Sequence, residues 1–295
     1  MKIKTLSVWA CTGANVSELS FALARKIAEE NKTLICELPC LGLPRLGFVS
    51  EHMDRIRNTE AAILALDRQE DLSWQLVTED KPGLWVLPVS VYAMPDCPVT
   101  ARVSVETLIH FTGALKRLAG ENGVERLIFD CQGQLHSPMT FFALRSSEQI
   151  LIPVENPADL AYVLASLRRL VKNYGYQPEQ FLLAVDGETR PVEKLLRGTG
   201  RRRGELLGVK VLPREIRKLA GGVDWSISRE RPGEDRLADF CLVGKARGEK
   251  EEADRAAPDN PAADSHSRPG ETEGFLSEPE ETGPARAVAG CSIRL

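Results

Sequence analysis

The chain has 295 residues, of which 43% are hydrophobic and 27% charged, with a formal net charge of −4. That balance fits an ordinary globular protein and excludes fibrous or wholly disordered classes. The charge provides no global field that would demand nucleic acid or an anionic membrane, and no apolar run reaches the roughly 18 residues of a membrane span.

The opening stretch "MKIKTLSVWACTG" lacks a signal-peptide core, so a cytoplasmic protein with no integral membrane segment is expected. The seven cysteines, at 11, 36, 40, 97, 131, 241 and 291, are scattered. Cys36 and Cys40 are the closest pair, and nothing nearby completes a zinc set, so the cysteines read as small buried apolar residues.

In chain order, the first element is the apolar run "IKTLSVWA" (3–10), a strand. The polar turn "CTGANVS" follows, and then "VSELSFALARKIAEE" (16–30), with apolar residues at helical spacing. Next come a strand at "TLICEL" (33–38), the loop "PCLGLPRLG", a helix at "NTEAAILALD" (58–67) and a strand at "LWVLPVS" (84–90). "SVETLIHFTGALKRLAGEN" (104–122) is a helix, "RLIFDC" (126–131) the fourth strand, and "CQGQLHSP" the loop after it. The series continues with helix "PMTFFALRSS" (138–147), strand "QILIPVE" (149–155) and helix "PADLAYVLASLRRLVKNYG" (157–175). It closes with strands "FLLAVDG" (181–187) and "KVLP" (210–213).

Several strands are continuous apolar runs, as expected where both faces are covered. Gly120 and Gly175 are expected to end their helices. Strands alternating with helices imply a doubly wound α/β fold, a mostly parallel sheet with helices on both faces. Residues 1–246 form this domain. Residues 247–295, rich in Glu, Pro, Asp, Ala and Gly, are expected to be a disordered acidic tail with "GFLSEP" as its one apolar patch.

Ligands in such folds bind at the carboxyl ends of the strands. The turn "CTGANVS" leads straight into a helix, whose unpaired N–H groups and dipole favour an anion. A working phosphate loop also needs close-packing glycines and a lysine. Here Gly13 is the single glycine, Val16 stands where the lysine would stand, and Ser17 retains a hydroxyl for Mg²⁺. The turn is therefore either a residual anion site or an inert tight turn. Asp130, ending an apolar strand, is either a Mg²⁺- or water-linked carboxylate, or else a helix N-cap or a satisfied loop carboxylate.

Read together, these stretches resemble the MinD/ParA family of deviant P-loop ATPases over roughly residues 2–246. The family's "KGGVGKTT" falls on "CTGANVSE". Cys11 then takes the place of the signature lysine and Val16 that of the phosphate-binding lysine. Gly13 is kept, Thr12 and Asn15 replace other glycines, and Ser17 matches the Mg²⁺-coordinating hydroxyl. In "TLICELP", Glu37 and Pro39 replace the two family aspartates, and Asp130, Gly133, Pro153 and Val154 hold their places downstream. The resemblance implies an adenine-contacting role for Asp186 and a place near the base for Pro213. It implies that Ser17 and Asp130 are the Mg²⁺ ligands, and that Glu37 and Asp130, on adjacent strands, face one crevice. The segment 58–96 is similar to the one preceding "GLxVLPAP" in TadZ/CpaE-type proteins, which localise pilus assembly.

Charge-assisted hydrogen bonds contribute roughly 1.5–3 kcal/mol each, so losing two lysines weakens nucleotide binding by about two to four orders of magnitude. Pro39 also removes the residue expected to position water. The expected protein is a non-hydrolysing localisation or scaffold factor with no cofactor or only weak ATP/Mg, acting as a homodimer or within a larger assembly. The alternative is a ParA-type ATPase that associates with DNA through Arg197, Arg201, Arg202 and Arg203. The bland reading of those arginines is solvated loop charge.

Overall fold

A computed structural model describes residues 3–12, 16–39, 44–92, 99–132, 137–198, 206 and 208–226. The chain divides into two units, Met1–Glu230 and Arg231–Leu295, and every described residue belongs to the first. The acidic tail expected over 247–295 lies outside the described residues.

Eight strands form one sheet: β1 (Lys4–Ala10), β2 (Thr33–Glu37), β3 (Thr78–Lys81), β4 (Leu84–Leu87), β5 (Arg126–Gln132), β6 (Gln149–Val154), β7 (Phe181–Val185) and β8 (Lys210–Pro213). Their order is β3-β4-β2-β5-β1-β6-β7-β8. All neighbours are parallel except β3 and β4, which are antiparallel. The helices are α1 (Ser17–Ile27), α2 (Leu46–Val49), α3 (Thr59–Asp67), α4 (Val105–Glu121), α5 (Pro138–Ser146), α6 (Pro157–Tyr174), α7 (Arg190–Gly198) and α8 (Ile216–Gly222).

Alternation along each strand sorts the core into two layers. Leu127 and Phe129 of β5 join the layer containing Phe111 and Leu115 of α4, Met139 and Leu144 of α5, and Leu167 of α6. Ile128 joins the opposite layer, with Leu6 and Val8 of β1, Ile35 of β2, Leu19, Phe21 and Leu23 of α1, and Leu219 of α8. With both faces covered, every residue of β2, β6 and β7 is buried, so these strands read as unbroken apolar runs.

Local signals fix several helix ends. Asn58 caps α3 by accepting from Ala61 N at 2.9 Å, and Ser104 caps α4 by accepting from Thr107 N at 3.0 Å. Gly175 follows α6 with φ of +68°, as expected. Gly120 instead lies inside the last turn of α4, and Gly123, at φ +74°, takes the left-handed position beyond it.

The seven expected strands are all present, and an eighth was not foreseen. β3, "TEDK", is a charged edge strand folded back on β4 through Gly83 at φ +84°. The loop "CQGQLHSP" therefore follows the fifth strand, not the fourth.

Candidate functional site

The site is built on the carboxyl ends of β2 and β5, where Glu37 and Asp130 are register partners. Partners in adjacent parallel strands point to the same face, here the face packed by α1. Asp130 is fully buried and accepts from Ser17 Oγ on Oδ2 at 2.6 Å and from Ser20 Oγ on Oδ1 at 3.2 Å. Residues three apart share one side of a helix, so both hydroxyls of the first turns of α1 reach one carboxylate. Asp130 is not an N-cap, since Ser137 holds that position for α5.

Glu37 is 1% exposed. Its Oε1 accepts from Arg45 N at 2.8 Å, and its Oε2 accepts from Val89 N at 2.9 Å. Burial first, and the charge of Asp130 second, push its carboxyl up from 4.5 to about 7, against the backbone donors of Arg45, Val89 and Leu46. The two carboxylates share a face, and both are buried there, Asp130 against hydroxyls and Glu37 against the backbone of two loops.

Val16, at the N-cap of α1, has 0% exposure and belongs to the apolar layer formed with Leu6, Val8 and Phe21. Cys11 is 2% exposed, and burial together with the charge of Asp159 pushes its thiol up to about 12. Pro39 is buried two residues beyond β2. Gly13, Asn15 and Gly133 lie outside the described residues.

Asp186 and Pro213 form a second grouping. Val185 pairs with Pro213, which places both ends side by side. Asp186 is bound by Arg214 Nη1 at 3.3 Å, and the same nitrogen reaches Glu155 Oε1 at 3.0 Å. Three strand spacings separate β5 from β7, about 14 Å. The structure thus brings Ser17 to Asp130 and Asp186 to Pro213, as two groupings along one sheet edge.

Arg197 lies on α7, exposed and paired with Glu193 at 3.7 Å; Arg201, Arg202 and Arg203 lie outside the described residues. Three contributors were missed from sequence. Ser20 had a readable signal, a hydroxyl three residues after Ser17 on a buried helix face. Thr59 donates to Glu37 O and Leu87 O at 2.8 and 3.2 Å, and Glu60 accepts from Ser90 N at 2.7 Å. No such signal marks those two.

Ser17 and Asp130 suit the metal end of an ATP·Mg site, whereas Val16 and Cys11 do not suit its phosphate end. Among the described residues, no group of three or more His, Cys, Asp or Glu is placed to hold a metal ion, and no helix is long and apolar enough to cross a membrane.

A helix starting after the central strand β1, beside an aspartate-bearing β5 in a mostly parallel sheet, is the arrangement of a P-loop NTPase-like fold. Among solved structures, the chain is similar to an AMPPNP-bound plasmid partition protein of Borrelia burgdorferi, with a TM-score of 0.53 and 12% identity over 84% of this chain and 100% of that one. A plasmid partition protein of Borrelia burgdorferi from an iodide soak gives a TM-score of 0.51 and 13% identity, over 75% of this chain and 97% of that one. The MinC:MinD complex of Aquifex aeolicus gives 0.49 and 15%, over 72% and 82%. No protein-family model and no curated protein matches the chain. The two Borrelia superpositions establish the fold, and the chain has the MinD/ParA-type P-loop ATPase fold.

Proposed function

We propose that this chain is a non-hydrolysing localisation or scaffold protein on a MinD/ParA-type fold, acting as a homodimer or within a pilus or secretion assembly. The observation that carries this reading is Val16. The position that the resemblance gives to the phosphate lysine is an apolar side chain packed into the core at the start of α1. Cys11 adds a buried, protonated thiol where a second cation would stand. Pro39 has no side-chain acceptor for an attacking water.

The similar Borrelia partition protein binds AMPPNP. For this chain, the hydroxyl of Ser17 and the carboxylate of Asp130 would hold Mg²⁺, and the α1 N-terminus would add its dipole, about 0.3–1 kcal/mol to an anion. That is too little to hold a triphosphate firmly. The missing lysines also disfavour the alternative of a DNA-associated ATPase, whose described arginine, Arg197, is exposed on α7.

The test is calorimetry with ATP and ADP, with and without Mg²⁺, alongside a phosphate-release assay. The expected result is no turnover above background and an ATP affinity no better than high micromolar, abolished by EDTA. Mg²⁺-dependent turnover, or low-micromolar binding, would overturn the reading.

A further inference from the structure

Two loops leave the carboxyl edge of the sheet side by side, one running from β2 through α2 to α3, the other leaving β4. Their points of contact rise in tiers from the sheet outward. At the root, Glu37 accepts from Arg45 N of the first loop with one oxygen and from Val89 N of the second with the other, at 2.8 and 2.9 Å. Thr59 reinforces the root: its N–H donates to Pro88 O at 2.8 Å, and its hydroxyl reaches both Glu37 O and Leu87 O. In the middle tier, a Cβ added at Gly47 would lie 3.4 Å from Val91 Cγ1 and 3.6 Å from Pro88 Cβ, so the backbone of the first loop packs against side chains of the second. At the tip, the Arg55 guanidinium stacks on the Tyr92 ring at 4.5 Å.

We propose that Glu37 is a positioning residue that joins these two loops into one mechanical body, so that loosening either loop loosens both. A carboxylate with one oxygen on each loop is suited to this. Each N–H fixes the side-chain rotamer that the other needs, so the two bonds are cooperative. The root is also buried, where a displaced carboxylate has no water to accept from instead. The body so formed carries the exposed side chains of Phe48, Ile56 and Tyr92. Through the Glu37–Asp130 register it stands next to the carboxylate that holds α1. The coupling is a property of this chain's own contacts, and it holds whether or not a nucleotide binds.

The experiment is hydrogen exchange by mass spectrometry on the full chain at one fixed pH. Val89→Pro removes one N–H donor to Glu37 and leaves the sequence of the other loop unchanged. Stranding a buried acceptor in this way corresponds to about five- to a hundredfold in exchange. The expected result is accelerated exchange over residues 45–50, in the loop that was not mutated, together with 90–92, while β1, β6 and β7 stay protected. Acceleration confined to 90–92 would overturn the proposal. If Val89→Pro does not fold, Glu37→Gln, which keeps the shape and one acceptor oxygen, replaces it. Both loops must then accelerate together, and a response in one loop alone, or equally across the whole sheet, would overturn it.

Discussion

At the β2–β5 side of the sheet, Glu37 and Asp130 are buried and held by hydroxyls and backbone N–H groups. At the β6–β8 side, Glu155 and Asp186 stand partly in water across the single guanidinium of Arg214, their side chains 40% and 57% exposed. The chemistry of the acids is the same and their energetic weight is not. A buried carboxylate whose donors are removed leaves polar groups stranded in a dry place, whereas an exposed one is rehydrated. The first pair should therefore decide the integrity of the site region, and the second should adjust it only slightly.

The largest test of this contrast is Val16→Lys, which places an ammonium in the apolar layer between α1 and β1. A loss of about 3–5 kcal/mol in chemical denaturation is expected, the scale for an uncompensated buried charge, with no gain of ATP turnover. Unchanged stability would mean that the lysine reaches water, and that the α1 N-terminus is an open cation position after all. Next, Asp130→Ala strands the buried hydroxyls of Ser17 and Ser20 and should lose about 2–4 kcal/mol. A loss under 1 kcal/mol would show that the serines find other partners.

The third test uses pH. The carboxyl of Glu37 is raised in the fold from 4.5 to about 7, mainly by burial. The folded state then binds more protons than the unfolded one between those values. Its contribution is fully present below pH 4.5 and is lost as pH rises through 7. The stability difference between the wild type and Glu37→Gln should accordingly fall by about 2–3 kcal/mol across this window. Removing the neighbouring charge with Asp130→Asn should shrink that fall, and an identical profile in both backgrounds would remove Asp130 as a cause. The smallest effect belongs to Arg214→Ala. It breaks both contacts of the exposed pair, and a change of less than about 1 kcal/mol is expected. A larger loss would erase the difference between the two sides of the sheet.

The central sheet was legible because its strands are buried on both faces and so read as uninterrupted apolar runs; β2, β6 and β7 are the clearest cases. β3 was not, since "TEDK" has no apolar face and owes its place to the turn at Gly83 and to backbone pairing with β4. The left-handed glycine after α4 lies three residues beyond the expected one, Gly123 instead of Gly120, because both satisfy the composition rule and only backbone geometry shows which one is left-handed; the helix itself ends at Glu121. In the site, Asp130 and Ser17 could be named because each ends or begins a recognisable element. Glu37 read as the replacement of the family's first aspartate. Its actual partners are backbone N–H groups 8 and 52 positions away, which any residue type but proline supplies, so no sequence pattern records them.

Cys11 sits where β1 gives way to the turn before α1, buried, with its thiol held about 12. Alkylating reagents attack the thiolate, which is scarce there at neutral pH. Modification of this sulfur should therefore proceed only through moments when the segment swings away from Trp9 and the layer around it. The rate of iodoacetamide incorporation at Cys11, followed by peptide mapping, becomes a clock for those openings. A ligand or subunit that seals the turn would slow that clock without a cysteine having been engineered into the chain.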